Sequence, residues 1–298
     1  MQAQTSSAAA DICKMSELNR GALKIRNWRH AWGERTLIMG IVNVTPDSFS
    51  GDGILEPQSS SAYAIKQLQA GADIVDLGAQ STRPGHKAIS ADEELARLMP
   101  VLERVRAQSD CVLSVDTTSA QVLTAAVGAG VDMLNSIWGL TDELMAAVSE
   151  LSIPVVLMHN KEQAVYEKDV VDEVLHFLAG QAERAVAAGI PPENIILDPG
   201  IGFGKTAEHN LLVLHALERL VRLGFPTLLG TSRKSFIGKL TGKPADSRLF
   251  GTAATVALAI NQGVDIVRVH DVQAILEVVN VSDAIVRGTR PVGWNAVS

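Results

Sequence analysis

Short apolar runs recur along the chain, and amphipathic stretches fill the gaps between them. Residues 36–43 (TLIMGIVN), 73–78 (DIVDLG), 111–116 (CVLSVD), 131–136 (VDMLNS), 153–159 (IPVVLMH), 194–199 (NIILDP), 225–231 (FPTLLGT) and 264–270 (VDIVRVH) form the apolar series. Their hydrophobicity is continuous rather than alternating, which is the pattern of parallel strands buried on both faces. Residues 91–107, 170–189, 207–224, 245–263 and 271–288 repeat apolar positions at helical spacing, and Gly189 and Gly224 stand where a helix C-terminus turns. Eight strands, each followed by a helix, predict an α/β fold of the (β/α)8 TIM barrel type. An open doubly wound sheet with extra units is the alternative. Residues 22–35 (ALKIRNWRHAWGER) read as a strand or hairpin packed on the barrel. Residues 1–21 read as a flexible tail, which leaves 22–298 as a single domain.

Composition narrows the picture. Of 298 residues, 47% are hydrophobic and 20% charged, the mix of a globular chain. The net charge of −7 argues against nucleic acid as a partner. Two cysteines, Cys13 and Cys111, imply no disulfide framework, so a reducing cytoplasm is expected. No apolar run approaches the roughly 18 residues of a membrane helix. The N-terminus has no apolar core of the secretory kind.

In barrels of this kind the active site lies at the C-terminal ends of the strands. Here those ends are polar: Asn43, Asp116, Asn135-Ser136, His159, Asp198, and Arg268 with His270. Singly, each has a bland reading as a helix cap or turn residue. As a ring they converge on one mouth. Arg268 and His270 are two apart in a strand and share a face, with Val267 and Val269 turned to the helices. Together with residues 232–235 (SRKS) they place cationic groups after the seventh and eighth strands, where phosphate sites are often built. Asp116 and Asp198 lack the partners of a metal cluster. They suit a ring rich in N–H donors, with Asn135 for a mixed edge. Residues 198–206 (DPGIGFGKT) look like a phosphate loop. The glycine spacing is one residue short, and Pro199 has no N–H to give.

Six stretches, MGIVNVTPDSFSGDG (39–53), STRPG (81–85), SVDT (114–117), DPGIGFGK (198–205), SRKS (232–235) and RVHDV (268–272), together resemble the dihydropteroate synthase family. The resemblance spans residues 37–288, nearly the whole barrel. It implies condensation of 6-hydroxymethyl-7,8-dihydropterin diphosphate with 4-aminobenzoate, by an SN1-like path that releases pyrophosphate. It implies pterin contacts from Asp116, Asn135, Asp198, Lys234 and Met158. Thr82, Arg268 and His270 would meet the diphosphate, and Asn43 would hold Mg2+. Thr82, Arg83, Pro84, Phe203 and Ser235 would form the aminobenzoate site, which sulfonamides would share. Lys234, Arg268, His270, Thr82 and Arg83 would carry the chemistry. A cytoplasmic homodimer is expected, with small-molecule substrates as its other partners. Residues 44–61 with 79–90 are expected to form a lid.

Four positions depart from common family patterns. Asp52 stands one residue late in the lid, Gln80 replaces a glutamate, Ser136 follows the pterin asparagine where aspartate is common, and MHNKEQ (158–163) lacks the usual glycine. A methyltetrahydrofolate-binding methyltransferase domain shares the barrel and its acids, but needs no diphosphate cations. A pterin-binding module without catalysis is a further alternative.

Overall fold

The computed structural model describes residues 20–44, 56–80, 89–290 and 294. A hairpin of β1 (Ala22–Ile25) and β2 (Trp28–Ala31) precedes eight parallel strands: β3 (Leu37–Asn43), β4 (Ile74–Gly78), β5 (Val112–Asp116), β6 (Met133–Ser136), β7 (Val155–Met158), β8 (Ile195–Asp198), β9 (Leu228–Leu229) and β10 (Ile266–Val269). Pairing runs β8-β7-β6-β5-β4-β3-β10-β9. A parallel bridge from Leu197 to Thr227 closes the ring, with the Leu197 N–H donating to the Pro226 carbonyl at 2.8 Å. The expected barrel is therefore present. β9 is shorter than the predicted 225–231, in part because Pro226 cannot donate to a ladder.

The connecting helices are α1 (Pro57–Gln69), α2 (Ala91–Arg106), α3 (Ala120–Gly128), α4 (Asp142–Leu151), α5 (Val170–Ala187), α6 (Ala207–His215), α7 (Leu217–Val221), α8 (Ser235–Thr241), α9 (Leu249–Asn261) and α10 (Val272–Val286). Two differ from the sequence reading. α1 takes the last residues of the predicted 44–61 loop, starting at Pro57 in its first turn, where the missing N–H costs nothing. The predicted 207–224 helix is two helices broken at Ala216. Ser119 caps α3 by accepting from the Val122 N–H at 3.3 Å. The rest of the expected lid, residues 45–55 and 81–88, lies outside the described residues, as do Thr82, Arg83, Pro84 and Asp52.

The two-residue period of the strands explains both core and site. Val75, Leu77, Leu113, Val115, Val155, Leu157 and Leu197 point outward into the layer shared with the helices. Residues of the opposite parity point into the barrel. At the bottom these are Met39, Ile74, Val112, Met133, Val156, Ile196 and Ile266, and the hairpin residues Leu23, Ile25 and Trp32 plug them from below. Two or four residues further along, the same parity brings Asn43, Asp76, Asp116, Asn135, Met158, Asp198 and Arg268 to the upper interior. Val267 and Val269 pack outward against Val256, Ile260 and Val272, as the spacing predicts.

The hairpin forecast for 22–35 is present, but the boundary of the tail moves. Arg20, assigned to the tail, is buried and forms a bidentate ion pair with Asp265, one bond being 2.8 Å. Asp265 also accepts from the Thr227 N–H at 2.9 Å, so this pair ties the chain before β1 to the closing strands.

Candidate active site

The centre of the mouth is a network that starts from Asp76 of β4, which is fully buried. Its Oδ2 accepts from Arg268 Nε at 2.7 Å and from Asn135 Nδ2 at 2.9 Å. A second guanidinium nitrogen of Arg268 donates to Asp116 Oδ2 at 3.3 Å. Three strands, β4, β5 and β10, thus hold Arg268 between two carboxylates. With one N–H of the Asn135 amide committed to Asp76, its second N–H and its carbonyl oxygen are left for a ligand.

Asp76 was missed in the sequence. The signal was there: a charge in the middle of the apolar run DIVDLG is almost never buried unless paired. Its partners, 59 and 192 residues away, were not legible.

Asp198 ends β8 and accepts the Gly200 N–H on Oδ1 at 2.7 Å. The turn after it needs its glycines. Gly200 has φ +69, and a Cβ there would lie 1.9 Å from the His159 carbonyl oxygen. Gly202, at φ +83, leaves space for the stem of Lys234, whose Cδ would be 3.0 Å from an added Cβ. Lys234 sits at the N-cap of α8, and its Nζ lies 4.1 Å from the centre of the Phe203 ring. Met158 is buried, with its Cγ against Gly200.

Burial pushes the Asp116 carboxyl up to about 7, opposed by Arg268 and assisted by the Asp76 and Glu94 carboxylates. Burial likewise pushes Asp198 up to about 6, against the Gly200 N–H and the Lys234 charge. Burial, with Arg268 close by, brings Lys234 down to about 8. Both cations act on both acids, which places the four around one space.

The expected cation cluster is smaller than predicted. Arg233 is turned to Asp271, donating to its two carboxylate oxygens at 3.0 and 2.6 Å. His270 is held down to about 3 by burial and by Arg233 and Arg268, so it is neutral. Its Nδ1 lies 2.9 Å from the Ser232 hydroxyl. Among the described residues, positive charge at the mouth therefore comes from Arg268 and Lys234. Ser235 is exposed in the first turn of α8, and Asn43 is half-buried at the end of β3.

Lys205 does not serve a phosphate. Its Nζ faces inward to the Gly200 and Phe203 carbonyls at 3.0 and 3.1 Å and to His159 Nδ1 at 2.9 Å. Ser136, one of the departures, donates its hydroxyl to the Gly139 carbonyl and so closes a turn rather than facing a ligand.

Among the described residues no helix is long and apolar enough to cross a membrane. The model of the pterin binding enzyme family matches residues 39–270. The dihydropteroate synthase of Synechocystis sp. is 45% identical over 266 residues, covering 86% of this chain and 92% of that protein. A Clostridium difficile dihydropteroate synthase solved in the presence of pteroic acid superposes with a TM-score of 0.81 at 44% identity, covering 85% of this chain and 98% of that one. A Yersinia pestis dihydropteroate synthase solved with a sulfonamide drug superposes with a TM-score of 0.85 at 37% identity, covering 90% and 100%. Barrel, mouth chemistry and relatives agree: the chain belongs to the dihydropteroate synthase family of pterin-binding enzymes.

Proposed function

We propose that the mouth binds the pterin ring through Asp116, Asn135, Asp198 and Lys234 with Met158 on its face, and binds 4-aminobenzoate beside Phe203 and Ser235. The observation that carries this is the Asp76–Arg268–Asp116 network with Asn135: it sets acceptors toward a donor-rich ring edge and puts a fixed cation next to them. Arg268 and the neutral His270 meet the diphosphate, with Thr82 of the adjoining loop. Thr82, Arg83 and Pro84 complete the aminobenzoate side.

In the reaction the bond from the pterin methylene carbon to the diphosphate oxygen breaks, and its electron pair leaves with the diphosphate. Arg268 stabilises the charge that develops there. The electron-rich ring supports the cationic methylene, and the raised acids Asp116 and Asp198 accept its N–H groups. The arylamine nitrogen forms the new carbon–nitrogen bond and loses one proton, which the departing pyrophosphate or water accepts. No covalent enzyme intermediate is needed, so Lys234 acts as a hydrogen-bond donor rather than as a Schiff base.

Asn43 fits a magnesium ion. Its carboxamide is bonded to no described residue, and among the described residues no cluster of His, Cys, Asp or Glu offers a cage. Magnesium characteristically keeps water and binds through few protein oxygens plus substrate phosphates. When bound with the diphosphate it would neutralise leaving-group charge. The reading also includes a cytoplasmic homodimer, supported by the apolar residues exposed on α9 and α10, Phe250, Leu258, Val281 and Ile285.

The test is pyrophosphate release from 6-hydroxymethyl-7,8-dihydropterin diphosphate and magnesium, with and without 4-aminobenzoate. Release that requires aminobenzoate, with an equal amount of dihydropteroate, is expected. Pterin binding without release would overturn the catalytic reading in favour of a binding module.

A further inference from the structure

The turn after β8 carries a half-buried lysine with no role in the chemistry above. An ammonium has three N–H groups. Those of Lys205 have three acceptors at 3.1 Å or less, the Gly200 carbonyl (3.0 Å), the Phe203 carbonyl (3.1 Å) and His159 Nδ1 (2.9 Å), and a fourth, longer one in the His159 carbonyl (3.5 Å). The third acceptor requires His159 to be neutral. Burial and the Lys205 charge hold that imidazole down to about 3. The His159 ring is itself held edge-on by Phe177, with centroids 5.1 Å apart. Burial brings Lys205 down to about 7, so holding it charged opposes folding, and packing alone does not explain a lysine here.

The two carbonyls that Lys205 grips belong to one turn. Gly200 also accepts the Phe203 N–H at 3.1 Å, so the ammonium closes a loop of three groups around the Phe203 backbone. The Asp198 backbone does not depend on it, although its carboxylate accepts the Gly200 N–H and feels the Lys205 charge. That residue is fixed by β-pairing with Met158, and its carbonyl accepts the His159 N–H at 3.0 Å. Phe203 has no strand to hold it, yet its ring lies against Lys234 Nζ at 4.1 Å.

We propose that Lys205 is a positioning residue of the aminobenzoate site, which sets the Phe203 wall against Lys234 by gripping the turn that carries it. The proposal rests on the assignment of Phe203 to the second substrate. It predicts a larger effect on one substrate than on the other, because the backbone that carries the pterin acid Asp198 is tethered separately by strand pairing.

Lys205→Met keeps the length of the side chain and removes the three donors. It is expected to keep the far-ultraviolet dichroism of the wild type. It should raise the KM for 4-aminobenzoate and the Ki of a sulfonamide at least tenfold, with the KM for the pterin diphosphate and kcat each changed less than threefold. A folded Lys205→Met enzyme whose aminobenzoate KM and sulfonamide Ki stay within twofold of wild type would overturn the proposal. So would equal losses toward both substrates, the mark of a general structural defect. Should this variant not fold, His159→Phe removes one acceptor and keeps a ring. It is expected to raise the aminobenzoate KM at least threefold, and an unchanged KM overturns the proposal. Failure of the wild type to make dihydropteroate would instead refute the functional reading.

Discussion

At the scale of single residues, the site is made of charges that the free fold does not favour. Asp198 has its pKa raised from 3.8 to about 6, chiefly by burial. A carboxyl whose folded pKa lies above its unfolded value contributes stability below the unfolded pKa. That contribution is lost as pH rises through the folded one. Asp198→Asn is therefore expected to raise the melting temperature relative to wild type at pH 8 and to change it little at pH 4. Each pKa unit corresponds to about 1.4 kcal/mol, so the gain is about 3 kcal/mol at most. The same variant should bind pterin at least tenfold more weakly in a fluorescence titration, and full affinity would remove Asp198 from the site. Asp76 matters through its partners. Asp76→Ala leaves Arg268 with one carboxylate partner fewer and frees the Asn135 amide to rotate. A loss of about 3 kcal/mol in urea unfolding is expected, with weakened pterin binding. Asp116, Asn135, Asp198, Arg268 and Lys234 were visible in the sequence because each ends a strand or opens a helix. Asp76 and Lys205 were not, because their roles lie in partners that only folding supplies.

At the scale of elements, the strand-eight turn shows why position matters more than composition. Glycines and a lysine in DPGIGFGK invite a phosphate-loop reading, yet the lysine faces inward and the glycines serve close approach to the segment after β7. Gly200→Ala places a methyl carbon 1.9 Å from the His159 carbonyl oxygen at a φ of +69. A destabilisation of about 3 kcal/mol is expected in urea unfolding, with a loss of pterin binding. A stable Gly200→Ala protein with wild-type affinity would show that the turn tolerates another path. Strand periodicity located nearly every element, because two-sided burial leaves long apolar runs. It was weakest where the chain departs from that rule: in β9 beside Pro226, and at α1, whose first turn holds the polar residues Gln58 and Ser59.

At the scale of the whole molecule, the barrel separates stability from function along its axis. The hairpin residues Leu23, Ile25 and Trp32 seal an apolar lower interior, and the polar network occupies the upper one. The outer face of α9 and α10 exposes Phe250 and Ile285, at 88% and 78%. If that face joins two copies, Phe250→Glu with Ile285→Glu is expected to give a monomer in sedimentation velocity while the dichroism is unchanged. A dimer that persists would place the interface elsewhere. What the sequence determined by itself is the eightfold alternation and the side of the barrel that each strand residue faces. Both follow from backbone geometry, since a period of two and a buried strand are local properties. The ring of polar strand ends follows from them, and the family is carried by the six motif stretches. What only the tertiary structure decided is how those groups pair: Asp76 with Arg268 and Asn135, Arg233 with Asp271 away from the site, and Lys205 with the turn it grips. Charges find partners across the barrel by distance in space. Separations of up to 192 residues along the chain leave no local pattern from which such pairs could be read.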